Sequence, residues 1–150
     1  MMDSLGGSGG NTRTPGIRDT PTRQNRILIV EDEVLVALHL SEMLDELDYD
    51  VCGMAASGAE ALDIAARERP ELALVDIGLR GALDGFETAH ALRNRFAVAS
   101  LFMSGASDAD TLERARAVGA AGFLPKPYGA TELKATLEGI FRTGPQPARA

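Results

Sequence analysis

Five side chains in this sequence have the types and placement to do chemistry on an anionic group: Glu31, Asp32, Asp76, Ser104 and Lys126. Asp76 directly follows Leu72-Ala73-Leu74-Val75, a short continuous apolar run of the kind that forms a strand covered on both faces. Glu31 and Asp32 follow a second such run, Ile27-Leu28-Ile29-Val30. Ser104 follows Val98 to Met103, and Lys126 follows Gly122-Phe123-Leu124-Pro125. Brought together, three carboxylates repel, which raises their pKa values unless a cation neutralises them. An all-oxygen set without histidine or cysteine suits a hard ion. Mg2+ binds through one or two carboxylates, waters and a phosphate, with Mn2+ as its substitute; zinc fits poorly. A lysine and a hydroxyl opposite the ion make a half-site for anionic oxygens. The set describes a pocket in which a carboxylate attacks phosphorus while cations neutralise the transferring group. Taken alone, Asp76 reads equally well as the polar end of a strand or a helix cap.

For these groups to act together, four strands must end side by side. Val36, Leu40, Met43, Leu44 and Leu47 repeat at helical spacing, predicting a helix from about Glu33 to Leu47. A more mixed strand follows from Tyr49 to Ala55, and Ser57-Gly58-Ala59-Glu60 has capping-box spacing for a helix that Pro70 closes. Asp84, with Glu87 three residues on, caps a helix from Gly85 to about Asn94. Ser107 or Asp108 caps the next, which Gly119 ends, and the last runs from Ala130 to Phe141. Five strands alternating with five helices predict an α/β fold, a parallel sheet with helices on both faces. Right-handed crossovers favour the flavodoxin-like doubly wound order 2-1-3-4-5. In that order strands one, three, four and five are consecutive, and ligands collect at the carboxyl ends of such strands. Strand two ends in Ala55-Ala56 and adds no charge.

Composition narrows the classes. A chain of 150 residues, 45% hydrophobic, suits one domain with a real core. No apolar run approaches the ~20 residues of a membrane span, and no signal-peptide pattern opens the chain. The single cysteine, Cys52, excludes an intramolecular disulfide framework and reads as a buried thiol, so a cytoplasmic location is expected. A net charge of −7 argues against a nucleic-acid surface. Only Lys126 and Lys134 are lysine, and His39 and His90 are isolated and read as surface or helix-flank residues. Residues 1–25, with Gly6-Gly7-Ser8-Gly9-Gly10, read as a flexible tail, and 143–150 as a short Pro-containing one, leaving 26–142 as the domain.

The residues now match a known family. The chain resembles the receiver domain of two-component response regulators over about residues 25–142, through Ile27 to Glu33, Leu74-Val75-Asp76, Asp84-Gly85, Met103-Ser104-Gly105 and Phe123-Leu124-Pro125-Lys126-Pro127-Tyr128. Each piece is weak alone; five in order at this spacing are specific. The resemblance implies that Asp76 is the phosphoacceptor in a phosphorelay, taking a phosphoryl group from a histidine kinase or phosphotransfer protein. It implies Mg2+ held by Glu31, Asp32, Asp76 and the Gly78 backbone carbonyl, with Ser104 and Lys126 on the phosphoryl group. Phe123 matches the aromatic that turns inward when the hydroxyl residue moves, and Lys126-Pro127 a peptide bond that is usually cis. The family's output face, used for partner binding or dimerisation, would be helix 4, strand 5 and helix 5, with Arg114, Arg116, Phe123 and Lys134 on it.

Two departures stand out. Leu79-Arg80-Gly81-Ala82-Leu83 lacks the usual Met-Pro and is one residue longer, and Glu31 replaces the commoner aspartate. Arg80 beside the site reads as a solvated side chain. With only about eight residues after the last predicted helix, the expectation is a signalling domain with no attached output domain that turns over no separate substrate. The sequence leaves open whether it is an output switch or a phosphate sink. The rivals fit less well. A Mg2+ phosphatase or dehalogenase-like enzyme would carry Asp-x-Asp where this chain has Gly78, and a nucleotide-binding module would need a glycine-rich loop where Glu31-Asp32-Glu33 stands. A phosphorylation-independent binding module would commonly lack one of the five site groups.

Overall fold

A computed structural model describes residues 25–144. Of the expected tails, residues 1–24 and 145–150 lie outside the described residues. The elements follow one another as β1 (Arg26–Val30), α1 (Val34–Glu46), β2 (Asp50–Ala55), α2 (Gly58–Glu68) and β3 (Leu72–Asp76). After them come α3 (Gly85–Phe96), β4 (Ala99–Ser104), α4 (Ala109–Ala117), β5 (Gly122–Pro125) and α5 (Ala130–Thr143). All four ladders are parallel and the strand order is 2-1-3-4-5.

The continuous apolar runs make sense in this sheet, because alternate residues feed two separate cores. Ile27, Ile29, Leu72, Leu74, Leu101 and Met103 pack with Leu40 and Leu44 of α1 and Leu133 and Leu137 of α5. Leu28, Val30, Ala73, Val75 and Phe102 pack on the opposite face with α2, α3 and Ala115 of α4. Every residue of β3 is buried. A strand covered on both faces has no polar side, so only apolar residues suit its interior.

Local chemistry sets the helix starts. Ser57 Oγ accepts from the Glu60 amide at 3.1 Å, while the Glu60 carboxylate takes the amide of Ala56 (2.8 Å), one residue ahead of the cap. At α3 the box closes on itself: Asp84 Oδ1 accepts from the Glu87 amide at 2.8 Å and Glu87 Oε1 from the Asp84 amide at 2.9 Å. Asp108, not Ser107, caps α4, accepting from the Thr111 amide at 2.8 Å. Helices α3 and α5 each run two residues past the predicted ends, to Phe96 and Thr143. Arg69 and Arg95 lie over the Phe96 ring, at 5.9 and 5.4 Å, and shelter it. No helix among the described residues is long and apolar enough to cross a membrane.

Strand β2 reads as mixed because it is an edge strand with a bulge. Ile27 pairs with Val51 but Leu28 with Gly53, so Cys52 is the extra residue. The thiol is half-buried, and burial pushes it up to about 11. At pH 8 a thiol reagent is therefore expected to modify the native protein roughly a hundredfold more slowly than the denatured chain, from the thiolate fraction alone. Equal rates, followed by the mass of the adduct, would contradict that burial.

Candidate functional site

Register brings the polar strand ends together. Val30 lies opposite Val75, Asp76 opposite Met103, and Ser104 opposite Pro125. The residues that follow each strand therefore emerge at one rim. The Ile77 amide on the Met103 carbonyl (3.0 Å) and the Lys126 amide on the Ser104 carbonyl (2.7 Å) extend the ladders into the loops. The Lys126-Pro127 bond is cis, as the resemblance implied. The result is an open cleft of about 510 Å³ lined by Asp32, Glu33, Asp76, Gly78, Arg80, Ser104 and Lys126, among others.

Asp76 sits at its floor, 8% exposed. Lys126 Nζ donates to Asp76 Oδ1 at 3.2 Å and the Gly78 amide donates to the same oxygen at 3.1 Å. Oδ2 is left as the oxygen available for new bonds. Gly78 also leaves the carboxylate uncovered: a Cβ there would stand 3.7 Å from both Asp76 oxygens, and a longer side chain would overhang them. Ser104 Oγ accepts from the Ala106 amide at 2.9 Å, which keeps its own O–H free to donate.

The acidic half of the cleft fits a hard cation. One oxygen from each of Glu31, Asp32 and Asp76 lies within 4.8 Å of the others. Glu31 is 3% exposed; its Oε2 accepts from the Glu33 amide at 3.0 Å, but its buried Oε1 has no hydrogen-bond partner, and Lys126 Nζ is 4.0 Å away. A buried carboxylate oxygen without a partner costs free energy that a cation would recover. Burial pushes the Glu31 carboxyl above its ordinary value, helped by the Asp76 and Asp32 charges and opposed by the Glu33 amide and Lys126. Burial acts on Asp32 in the same sense, but two hydrogen bonds from Arg80 outweigh it and hold that carboxyl below its ordinary value. The replacement of aspartate by Glu31 leaves the acid cluster intact, since the longer arm still brings an oxygen to it.

A match to the response regulator receiver domain spans residues 27–138. The chain belongs to the response-regulator receiver family. It is 34% identical over 113 residues to the transcriptional regulatory protein PdtaR of Mycobacterium tuberculosis, covering 75% of this chain and 55% of that protein. It thus spans little more than half the length of that relative. It is 30% identical to sporulation initiation phosphotransferase F of Bacillus subtilis, over 73% of this receiver chain and 87% of that one. Among solved structures, the signal receiver domain of a modulated diguanylate cyclase from Desulfovibrio desulfuricans G20 is 41% identical, with a TM-score of 0.72 over 79% of this chain and 94% of that one. The chemotaxis protein CheY4 of Vibrio cholerae is 28% identical with the same TM-score, over 77% and 98%.

The cleft holds four of the five side chains first singled out, and the fifth, Glu31, joins them from below through the acid cluster. Phe123 does not line the cleft; half-buried on β5, it packs against the core under α2, α3 and α4. Of the residues assigned to the output face, Arg114 turns elsewhere. Its guanidinium lies 4.2 Å over the Phe86 ring and 3.9 Å from Asp84, tying α4 to the start of α3. Arg116 and Lys134 pair with Glu113 and Glu138 on their own helices. The sequence reading missed Arg80, which is bonded to Asp32 rather than only solvated. Its one available signal was the extra residue in its loop.

Proposed function

We propose that this receiver domain accepts a phosphoryl group on Asp76 from a sensor histidine kinase or a histidine phosphotransfer protein, in a Mg2+-dependent reaction in the cytoplasm. The observation that carries the reading is the Asp76 carboxylate between Lys126 Nζ at 3.2 Å and two further acids within 4.8 Å. Glu31, Asp32, Asp76 and the Gly78 carbonyl would hold Mg2+, or Mn2+ in its place, which when bound supplies positive charge for the phosphoryl oxygens. Oδ2 of Asp76 forms the new O–P bond as the P–N bond of a phosphohistidine breaks, and the imidazole nitrogen keeps the bonding pair. The Lys126 ammonium transfers its interaction from Oδ1 to a phosphoryl oxygen, and the Ser104 hydroxyl donates to another. Movement of Ser104 lets Phe123 follow from the neighbouring strand. The α4–β5–α5 face then changes its affinity for a downstream protein or a second copy. No separate substrate is turned over.

A protein donor is supported by the start of α1, where Val34 and Leu35 are 66% and 81% exposed next to Glu33, a cleft residue. An apolar surface at the rim of a charged cleft suits docking of a partner that must reach Asp76. The test is intact-mass measurement after incubation with phosphoramidate and Mg2+. The expected result is a gain of one phosphoryl group, lost when a chelator replaces the metal. A folded protein that gains no mass in the presence of Mg2+ would end this reading.

A further inference from the structure

In the structure, two basic side chains share the charge of three acids. Lys126 serves Asp76 and, more distantly, Glu31. Asp32 is left to Arg80, which meets it twice on one oxygen: Nε donates to Asp32 Oδ2 at 3.0 Å and the Arg80 backbone amide donates to it at 3.3 Å. The two partners differ sharply in setting. The Asp32 side chain is 16% exposed, whereas the Arg80 side chain is 78% exposed and reaches in from solvent.

The loop around Arg80 is anchored on one side and free on the other. Leu79 is 4% exposed, and its amide donates to the Asp76 carbonyl at 3.1 Å. Gly81 has φ +117, a backbone state that suits glycine, and nothing stands within 4 Å of where its Cβ would be. Arg80 can therefore leave Asp32 without disturbing Leu79 or the core. The segment that departs from the family's usual Met-Pro pattern is the one that supplies this cation.

We propose that Arg80 is a built-in counter-cation for the divalent site, occupying Asp32 until a metal ion takes that carboxylate, so that metal binding releases Arg80 and the Arg80–Ala82 segment into solvent. The inference rests on the reading of Glu31, Asp32 and Asp76 as metal ligands, to which the buried Glu31 Oε1, without a hydrogen bond and with only Lys126 Nζ at 4.0 Å, independently points. Asp32 Oδ2 already accepts two hydrogen bonds, so Arg80 withholds that one oxygen of the carboxylate from a metal for as long as it stays. A guanidinium held beside a divalent cation is also repelled by it. The exchange therefore sets an apparent metal affinity below what the three acids would give alone. It makes the β3–α3 loop respond to metal before any phosphoryl group arrives.

Two measurements on the whole chain test this. In the first, Mg2+ and Mn2+ affinities are measured by calorimetry for the wild type and Arg80→Ala. Because an ion pair with so exposed a partner is screened by solvent and worth little, the variant is expected to bind either ion only about two- to fivefold more tightly. In the second, the Arg80 Nε–H signal is followed by 15N NMR in the wild type, with Arg80→Lys as the assignment control. On adding Mg2+ that signal is expected to move from a hydrogen-bonded to a solvent-exposed position. Equal or weaker metal binding by Arg80→Ala, or an Nε–H signal that stays bonded in saturating Mg2+, would overturn the inference; weaker binding would make Arg80 a support that orients Asp32. Those outcomes leave the metal site standing. A wild type that binds neither ion would instead remove the metal reading and this inference with it.

Discussion

Asp76→Asn is expected to take up no phosphoryl group under conditions that add one to the wild type, while remaining folded within about 1 kcal/mol of it. The two halves of that expectation have separate causes. An amide oxygen carries no full charge and is a poor nucleophile toward phosphorus, so chemistry is lost outright. The shape, in contrast, is kept. Asparagine Oδ1 can still accept from the Gly78 amide and from Lys126 Nζ, the two donors that now hold Asp76 Oδ1. The charge-assisted part of the Lys126 bond is lost, but Lys126 is one-third exposed and that loss is screened. Against it, one of three mutually repelling carboxylates is gone, and Asp76 is among the charges that push Glu31 up. Intact mass and urea unfolding together check both halves. Phosphoryl uptake by the variant would place the acceptor at another residue.

How much of this site was legible beforehand depends on whether the signal was local. The runs Ile27 to Val30 and Leu72 to Val75 announce buried parallel strands, because a strand covered on two faces has no other composition open to it. Once the order 2-1-3-4-5 is adopted, the carboxylates, hydroxyl and lysine that end those strands must converge, and they do. The Asp84–Glu87 box was equally readable, since both of its bonds lie within four residues. What escaped was long-range. Arg80 sits in a loop with no periodicity, and its partner Asp32 is 48 residues away in sequence. Arg114 carries no mark in the sequence that it will cover Phe86 on another helix. The bulge at Cys52 belongs to the pairing of two strands and to neither strand alone.

Gly85 is the residue where local and long-range rules disagree most, and substituting it is expected to have the largest effect on stability. As the first residue of α3, it would be improved by alanine on intrinsic propensity alone, by up to about 1 kcal/mol. The structure predicts the opposite sign. A Cβ on Gly85 would stand 2.7 Å from the Asp76 carbonyl oxygen, 2.9 Å from Ile77 Cα and 3.2 Å from the Ile77 carbonyl oxygen. All three are backbone atoms, so no side chain can rotate aside, and either α3 or the end of β3 must shift. Overpacking of this kind costs about 1–3 kcal/mol, which exceeds the propensity gain, so Gly85→Ala is expected to be destabilised by roughly 2 kcal/mol. Gly139→Ala makes the same chemical change within α5, where nothing lies within 4 Å of the new Cβ, and should stabilise by about 0.5–1 kcal/mol. Urea midpoints at unchanged slope would measure both. The opposite signs matter for function, because the atom that Gly85 approaches is the carbonyl of Asp76 itself, which also accepts from the Leu79 amide. Glycine after Asp84 thus lets α3 seat directly against the backbone that carries the nucleophile. A Gly85→Ala protein as stable as the wild type would mean that this seat is looser than the 2.7 Å approach implies.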